Sequence, residues 1–419
     1  MTAVQVHVAV GAETVPAGAL FVHRRGRTES ATLSYASSYL ARSDAWAVDP
    51  TLPLRSGSYQ SRAGQALFGA LTDCAPDRWG RTLLLRREAR LAADEGRTAR
   101  TLSELDYLLG VRDDLRQGAL RFRDTDDGPF LAVAEQGVDE QGVPALTDLP
   151  ALLSLADWAE RADTGLEDLQ RLVRVGSSLG GARPKAHVRS ATGALAIAKF
   201  PSADRDTWNV MAWEHVTLEL ARACGLDVAR SQLLDLAGRS VLVLDRFDRT
   251  PQGHRVGYVS AMTMLEATDG DSRSYLELAS VIEERSDRAS LELGELWRRI
   301  AFAMLVSNTD DHLRNHGFLH RHGDVWRLSP AFDLNPTPVA GPPVLSTALD
   351  DADRPASPQG LLAIAGLFRL EPAQARHELR RLAEVVATWP AVAQRSGLSG
   401  AERARMAPAF DQVEPAAAV

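Results

Sequence analysis

The spacing of apolar residues changes repeatedly along this chain of 419 residues, and the order of the changes predicts its architecture. Residues 4–10, 19–23 and 31–35 have the short apolar runs of β-strands. Residues 60–122 instead carry apolar residues at the i, i+3 and i+4 spacing of helices. Residues 124–149 are acidic and only weakly periodic, which predicts a linker.

The second half of the chain repeats the change from strands to helices. After a helical stretch at 149–173, strand-like runs occupy 186–189 and 194–200, and a helix is expected from about 206 to 223. A strand is expected at 240–244, and from 276 the pattern is mostly helical. A chain of this length exceeds a single core, so we predict an α+β protein of several parts. These are a mixed N-terminal module (1–124), a linker (125–148), a small strand-rich lobe (149–250) and a helical lobe (251–419).

The composition argues against two classes of function. The net charge of −8 provides no basic surface for direct binding of nucleic acid. No apolar run approaches the roughly 18 residues needed to span a bilayer. The two cysteines, Cys74 and Cys224, are far apart in sequence, which is typical of a protein in the reducing cytoplasm.

Two polar residue types are rare and unevenly placed. Of the 47 basic residues only Lys185 and Lys199 are lysines, and they lie within 15 residues of each other. Arginine cannot replace lysine where a compact, flexible ammonium group is required, as at many phosphate sites. Three of the four asparagines, Asn308, Asn315 and Asn335, fall within 28 residues. Both clusters could arise by chance, but together they indicate chemistry in two segments.

The segment Asn308-Thr309-Asp310-Asp311-His312-Leu313-Arg314-Asn315 has the spacing of a phosphoryl-transfer loop. In protein kinases a proton-accepting Asp and a metal-binding Asn lie five residues apart. Asp310 and Asn315 have that spacing and Asp311 does not, so we assign the base to Asp310. The alternative is an ordinary turn, since Asn, Thr and Asp are common turn formers.

Three further residues could complete such a site. Asp333 follows a strand-like run and Phe332, and its carboxylate could bind Mg²⁺ together with Asn315. Lys199 ends a buried strand and could reach the phosphates of ATP, with Glu214 on the following helix as its acidic partner. Each of these residues, taken alone, could instead have a purely structural role. Lys199, for example, could simply be a charged residue on an edge strand.

Other motifs are weaker on their own. The Gly-rich segment 176–185 could bring backbone N–H groups to phosphate, although taken by itself an ordinary turn explains it better. Residues 245–247 fall where a kinase binds adenine, or at a simple strand end. His312 and His316 lack the other features of a zinc site, and we expect His312 to orient the loop by hydrogen bonding.

Taken together, these motifs resemble the HipA family of bacterial serine/threonine kinases, the toxins of toxin–antitoxin modules. The resemblance covers nearly the whole chain. It rests on the motifs Asn308-Thr309-Asp310-x-His312-x-x-Asn315, Ser329-Pro330-Ala331-Phe332-Asp333, Gly181-Ala182-Arg183-Pro184-Lys185, Arg246-Phe247-Asp248-Arg249, Leu52-Pro53-Leu54 and Asp77-Arg78-Trp79-Gly80.

The resemblance implies a two-lobed, protein-kinase-like fold and a set of site residues. Asp310 would be the catalytic base, and Asn315 and Asp333 would hold Mg²⁺. The residues predicted to contact or border ATP are Gly180, Gly181, Lys185, Lys199, Glu214, Asp245, Arg246, Phe247 and His312. The resemblance also implies autophosphorylation at Ser178, with Ser177 as the neighbouring alternative. A phosphoserine there would place negative charge where the ATP phosphates must bind.

The implied protein partners are a substrate, with a translation-related target suggested by the family, and a helix-turn-helix antitoxin. DNA would be contacted mainly through that antitoxin. Two other functions remain open at this point. A small-molecule kinase could use the same Asp–Asn–Asp chemistry, and a non-catalytic co-repressor could bind a DNA-bound antitoxin.

Overall fold

The computed structural model describes residues 2–26, 28–125, 128–131, 142–161, 165–176, 181–190, 192–202, 204–339, 341–351 and 355–419. The chain forms two compact units. The first comprises 1–205, 245–259 and 321–324, and the second comprises 206–244, 260–320 and 325–419. Each unit mixes strands and helices, so the predicted α+β class is confirmed. The finer division into four segments stays a prediction.

The first part of the chain begins with a sheet and continues with helices. Its strands are β1 (Thr2–Val10), β2 (Glu13–Arg25), β3 (Thr28–Tyr35), β4 (Ser58–Gln60), β5 (Leu120–Arg123), β6 (Lys185–Arg189) and β7 (Leu195–Lys199). Its helices are α1 (Ser37–Leu40), α2 (Gly69–Asp73), α3 (Arg78–Asp94), α4 (Glu104–Leu109), α5 (Leu149–Glu160) and α6 (Leu166–Gly176). The first five strands form one antiparallel sheet in the order β4-β3-β2-β1-β5.

Alternation along β1 explains how this sheet forms a core. Val4, Val6 and Val8 point to the same face because strand side chains alternate, and all three are buried. Helix α3 begins at Arg78 because the carboxylate of Asp77 accepts the N–H of Arg78 and caps the helix. α3 packs against α6, which places this helix beside the segment that leads into β6.

A buried cluster of charges joins two distant segments of the first unit. The carboxylate of Asp248 accepts hydrogen bonds from Arg246 and Arg249 and from the backbone N–H of Gly118. Arg249 also donates to the backbone oxygen of Arg116, at 2.9 Å. Although burial alone would raise the pKa of Asp248, the two guanidinium groups hold it well below its ordinary value. Residues 246–249 are thereby fixed to residues 116–118.

The rest of the chain is mainly helical. Its strands are β8 (Ser231–Leu236), β9 (Arg239–Asp245), β10 (Tyr258–Ser260), β11 (Gly317–His322) and β12 (Val325–Leu328). Its helices are α7 (Val210–Ala223), α8 (Ala261–Met264), α9 (Tyr275–Arg285), α10 (Ala289–Leu305), α11 (Pro358–Ile364), α12 (Pro372–Val386), α13 (Trp389–Arg395), α14 (Gly400–Met406) and α15 (Val413–Ala417). None of the helices in the described residues is long and apolar enough to cross a membrane.

Two of these helices determine where the functional residues lie. α10 is buried on nearly all sides, and its C-terminal end leads directly into the segment that begins at Asn308. α7 begins at Val210, four residues later than predicted, because Asn209 caps it by accepting the N–H of Ala212. Asn209 also donates to the hydroxyl of Ser240, and this tertiary bond favours it as the cap.

Candidate functional site

The loop that carries Asp310 starts from a tightly closed helix end. The N–H of Ser307 bonds to the carbonyl of Met304, and that of Asn308 bonds to the carbonyl of Ala303 at 2.8 Å. This pattern is a Schellman motif, which usually has glycine at the left-handed position. Here that position is Ser307, with φ of 49°, and the residue is fully buried. A left-handed non-glycine residue stores strain, as often occurs where a chain must hold a functional loop.

Asp310 and Asn315 are linked through the backbone. The side-chain Nδ2 of Asn315 donates to the carbonyl of Asp310 at 2.9 Å, and the N–H of His312 donates to the same carbonyl at 3.0 Å. The N–H of Asn315 in turn donates to the carbonyl of His312 at 2.8 Å. These bonds hold Asp310 and Asn315 in a fixed position relative to each other. The side chain of Asp310 is exposed.

The neighbouring Asp311 has a different environment. It is only 5% exposed, and its Oδ2 accepts the hydroxyl of Tyr275 and lies 3.3 Å from Nε2 of His316. Thr347 donates to its backbone oxygen at 2.6 Å. Burial alone would raise the pKa of Asp311, but His316 and Tyr275 outweigh it and hold the pKa below its ordinary value. Asp311 is thus committed to interactions within the second unit, whereas Asp310 is open to solvent.

Asp333 lies on a second loop of the same unit. Before it, Ala331 donates to the carbonyl of Asp227 at 2.7 Å. Asp333 itself has φ of 59°, a left-handed conformation that is uncommon for a residue with a side chain. Nδ2 of Asn335 donates to Oδ1 of Asp333 at 3.2 Å, and the N–H of Asn335 donates to Oδ1 of Asn308 at 3.3 Å. The two asparagines therefore connect the loop of Asp333 to the loop of Asp310.

The oxygen atoms around these loops fit a hard divalent cation. Nδ2 of Asn315 is already bonded to Asp310, which leaves its Oδ1 as the ligand atom. Oδ1 of Asn335 is buried and has no hydrogen-bond partner among the described residues. Mg²⁺ prefers carboxylate and amide oxygens and keeps several waters. Asn315 and Asp333 therefore have suitable chemistry for Mg²⁺, and Asn335 is a further oxygen beside them.

In the first unit the two lysines of the chain lie opposite each other. β6 and β7 are antiparallel, and Lys185 is the direct cross-strand partner of Lys199. Directly opposed residues share one face of the hairpin, with Cβ atoms roughly 5 Å apart, and like charges in that position destabilise a sheet. A polyanion bound on that face would offset the repulsion. The clustering noted in the sequence thus becomes a cross-strand pair, in which Lys185 is buried and Lys199 is half-buried.

The backbone conformation four residues before Lys185 favours glycine. Gly181 has φ of 87°, in the left-handed region where a residue with a Cβ atom is strained. The predicted residues Gly180 and Ser178, and the alternative Ser177, lie outside the described residues.

The three residues predicted to border adenine differ in exposure and in their contacts. Asp245 is exposed, and the ring of Phe247 lies 6.2 Å from that of Tyr258. The guanidinium of Arg246 is turned inward instead, where it donates to Asp248, to the carbonyl of Leu115 and to the ring of buried His187. The side-chain donors of Arg246 are thus bonded within the unit, and the placement of residues 245–247 beside adenine stays a prediction.

The two remaining predicted residues lie in the second unit. Glu214 is in the second turn of α7 and is 1% exposed, so its carboxylate needs compensating interactions. The backbone of His312 organises the loop, as described above. Its ring does not contribute through Nδ1, which is buried and has no partner among the described residues. Among the described contacts, His312 thus holds the loop through its backbone, and its place beside ATP stays a prediction.

The structure groups the predicted residues within each unit. Gly181, Lys185, Lys199, Asp245 and Phe247 belong to the first unit, and Glu214, Asp310, His312, Asn315 and Asp333 belong to the second.

Sequence reasoning did not assign roles to several residues that hold these loops. Asn308 and Asn335 carried a detectable signal, because asparagine is rare in this chain and clusters there. Tyr275 and Thr347 carried none, since they lie 36 residues before and after Asp311 and reach it only through the fold.

Residues 177–389, just over half of the chain, match the family described as the HipA-like C-terminal domain. The chain belongs to this family. A chain of the solved complex of the Shewanella oneidensis toxin–antitoxin system, which contains HipA, HipB and operator DNA, has a similar fold. Its TM-score is 0.66 at 16% identity, and the match covers 99% of this chain and 96% of that one. The predicted kinase-like α+β fold is thus confirmed.

Two curated proteins also match part of the sequence. A Sinorhizobium fredii protein named "Putative kinase Y4dM" is 30% identical over 157 residues, which are 34% of this chain and 37% of the relative. A Haemophilus influenzae protein named "Putative kinase" is 29% identical over 135 residues, which are 29% of this chain and 39% of the relative. The chain therefore spans well under half the length of these relatives.

The environment of Asp311 predicts a specific pH dependence of stability. Because its pKa is lower in the folded than in the unfolded chain, its stabilising contribution is present above the ordinary pKa of about 4 and is lost as the pH falls through the folded value. We expect the free energy of unfolding of Asp311→Asn to differ most from that of the wild type near neutral pH. Urea unfolding at a series of pH values measures this difference. A difference that grows as the pH falls below 4 would contradict the assignment.

Proposed function

We propose that this protein is an ATP- and Mg²⁺-dependent serine/threonine protein kinase and the toxin of a toxin–antitoxin system. The observation that carries the proposal is the contrast between two adjacent aspartates. Asp311 is buried and bonded to Tyr275, while Asp310 is exposed with its backbone held by Asn315. A proton acceptor must be open to the incoming hydroxyl group yet rigidly placed, and Asp310 meets both conditions.

The remaining roles follow from the chemistry of each side chain. Asp310 accepts the proton of the attacking hydroxyl group, and Asn315 and Asp333 hold Mg²⁺. When bound, Mg²⁺ would neutralise charge that develops on the phosphoryl group. Asn335 orients the carboxylate of Asp333 through the bond to its Oδ1.

The first unit would bind the nucleotide. Lys199 contacts the phosphates, and Lys185 adds a second positive charge on the same face of the hairpin. The glycines at 180 and 181 would let backbone N–H groups approach the phosphates. Asp245 and Phe247 border the adenine, together with the backbone of Arg246.

The proposed partners are a protein substrate, for which the family suggests a translation-related target, and a helix-turn-helix antitoxin. The HipA, HipB and operator DNA complex, whose chain this protein resembles in fold, motivates the antitoxin. DNA would be reached through the antitoxin, in agreement with the net charge of −8 on this chain. The proposed location is the cytoplasm.

We expect the kinase to silence itself by phosphorylating Ser178. Phosphate would add about −1.5 to −2 charges beside the proposed ATP phosphates, which repels the nucleotide. Mass spectrometry of the purified protein after incubation with ATP and Mg²⁺ should find phosphate on Ser178. Phosphate on Ser177 alone would contradict the assignment, and a Ser178→Ala variant should retain activity after the same incubation.

The distribution of labelled phosphate between protein and small molecules distinguishes this function from the two alternatives. The protein is incubated with γ-labelled ATP and Mg²⁺, alone and with cell lysate, and protein is then separated from small molecules. A protein kinase places label on protein, and Asp310→Ala should abolish that label. Label found only on a metabolite would replace the proposal with a small-molecule kinase. A complete lack of turnover would favour the co-repressor.

A further inference from the structure

The motif Asp77-Arg78-Trp79-Gly80 contacts the residues on either side of 177–180, the part of the Gly-rich segment that we call the phosphate loop. The motif lies about 100 residues before this loop in sequence. The carboxylate Oδ2 of Asp77 accepts the N–H of Gly181. The N–H of Trp79 donates to the carbonyl of Gly181 at 3.2 Å. The indole Nε1 of Trp79 donates to the carbonyl of Lys185 at 3.1 Å. Three hydrogen bonds thus tie the start of α3 to the residues that follow the loop.

The residue that precedes the loop is also packed against this motif. Gly176 ends α6, and a Cβ atom added there would lie 2.7 Å from the carbonyl oxygen of Lys185 and 3.2 Å from Nε1 of Trp79. Trp79 itself is 2% exposed. The same indole therefore sets the position of the chain before residue 177 and after residue 180.

The two oxygens of Asp77 have separate tasks. Oδ1 accepts the N–H of Arg78 at 2.7 Å and caps α3, and Oδ2 accepts the N–H of Gly181. A hydrogen bond to a charged acceptor is stronger than one between neutral groups. The start of α3 and Gly181 are consequently fixed to one carboxylate.

We infer that Asp77 and Trp79 are positioning residues for the ATP phosphates. By holding Gly176, Gly181 and Lys185, they fix the residues on either side of 177–180 and the starting point of the strand that carries Lys185. Neither side chain needs to touch the nucleotide. The inference rests on the proposed function, and it gives the N-terminal module a direct role in nucleotide affinity.

Trp79→Phe tests the inference because it removes the indole donor and keeps an aromatic ring in place. Trp297→Phe is the matched control, since Trp297 is also buried and its Nε1 also donates to a backbone carbonyl, that of Leu361 at 3.2 Å. We expect both variants to lose thermal stability. Only Trp79→Phe should weaken binding of a fluorescent ATP analogue, by roughly five- to tenfold for one lost hydrogen bond.

Asp77→Ser provides a second, independent variant. Serine caps helices about as well as aspartate, but its single short hydroxyl cannot also accept the N–H of Gly181. The KM for ATP should rise by a similar factor, while kcat at saturating ATP stays within about twofold of the wild type. This split distinguishes positioning of the nucleotide from a general loss of structure.

The outcomes separate this inference from the proposed function. If the wild type binds the ATP analogue and Trp79→Phe binds it as tightly as Trp297→Phe does, the positioning role is wrong and the kinase proposal stands. If Asp77→Ser lowers kcat without changing the KM for ATP, the positioning role is also wrong. If the wild type binds no nucleotide, the kinase proposal and this inference both fail.

Discussion

Replacing Asp310 with alanine is expected to lower the rate of phosphoryl transfer at saturating ATP by about 10²- to 10⁴-fold. The reason is that the exposed carboxylate of Asp310 would take the proton of the attacking hydroxyl group. Asp311 is the nearest carboxylate in sequence, but it is buried and held by Tyr275 and His316. Steady-state rates and nucleotide affinity measured on the same preparations test this expectation.

Asp311→Ala is the matched comparison, because it removes the adjacent carboxylate. Since Asp310 is exposed, its replacement should change the free energy of unfolding by no more than about 0.5 kcal/mol. Removal of Asp311 leaves Tyr275 and His316 without their buried partner, so this variant should be clearly destabilised. Equal loss of stability in the two variants would contradict the division of roles between the two aspartates.

Asp248→Ala is expected to destabilise the first unit by about 3–5 kcal/mol. Asp248 is the buried counter-charge for Arg246 and Arg249. Its removal takes the carboxylate away from two buried guanidinium groups. It also deprives the N–H of Gly118 of its acceptor. Urea unfolding followed by circular dichroism measures the loss.

An exposed aspartate of the same unit provides the control for this change. Asp204 is exposed, so Asp204→Ala should lie within about 0.5 kcal/mol of the wild type. If Asp248→Ala lowered the free energy of unfolding as little as Asp204→Ala, the charge cluster would contribute little to stability. Residues 116–118 would then be held by other contacts.

Much of the candidate site could be predicted from the sequence because its signals are local. The spacing of Asp310 and Asn315 depends only on a short loop, and the structure shows the hydrogen bond that makes the spacing matter. The two lysines were noticed because they are rare, and pairing of β6 with β7 places them opposite each other. Signals of this kind depend on residues close together in sequence, so they can be recognised without the tertiary structure.

What the sequence could not reveal depends on contacts between distant residues. The guanidinium of Arg246, for example, is bonded to Asp248 and to the carbonyl of Leu115, and no local pattern indicates these bonds. The predicted helix at 149–173 is two helices, α5 and α6, separated around Gly165. Periodicity detects the apolar face of a helix but not a short break in it.

Transfer of the γ-phosphate of ATP to protein hydroxyl groups is the most direct test of the central proposal. Cell lysate is incubated with ATP carrying heavy oxygen in its γ-phosphate, with the wild type or with Asp310→Asn, and phosphorylated peptides are sequenced by mass spectrometry. We predict heavy phosphate on serine or threonine of other proteins with the wild type and none above background with the variant. Equal incorporation with both proteins, or heavy phosphate found only in small molecules, would contradict the proposal.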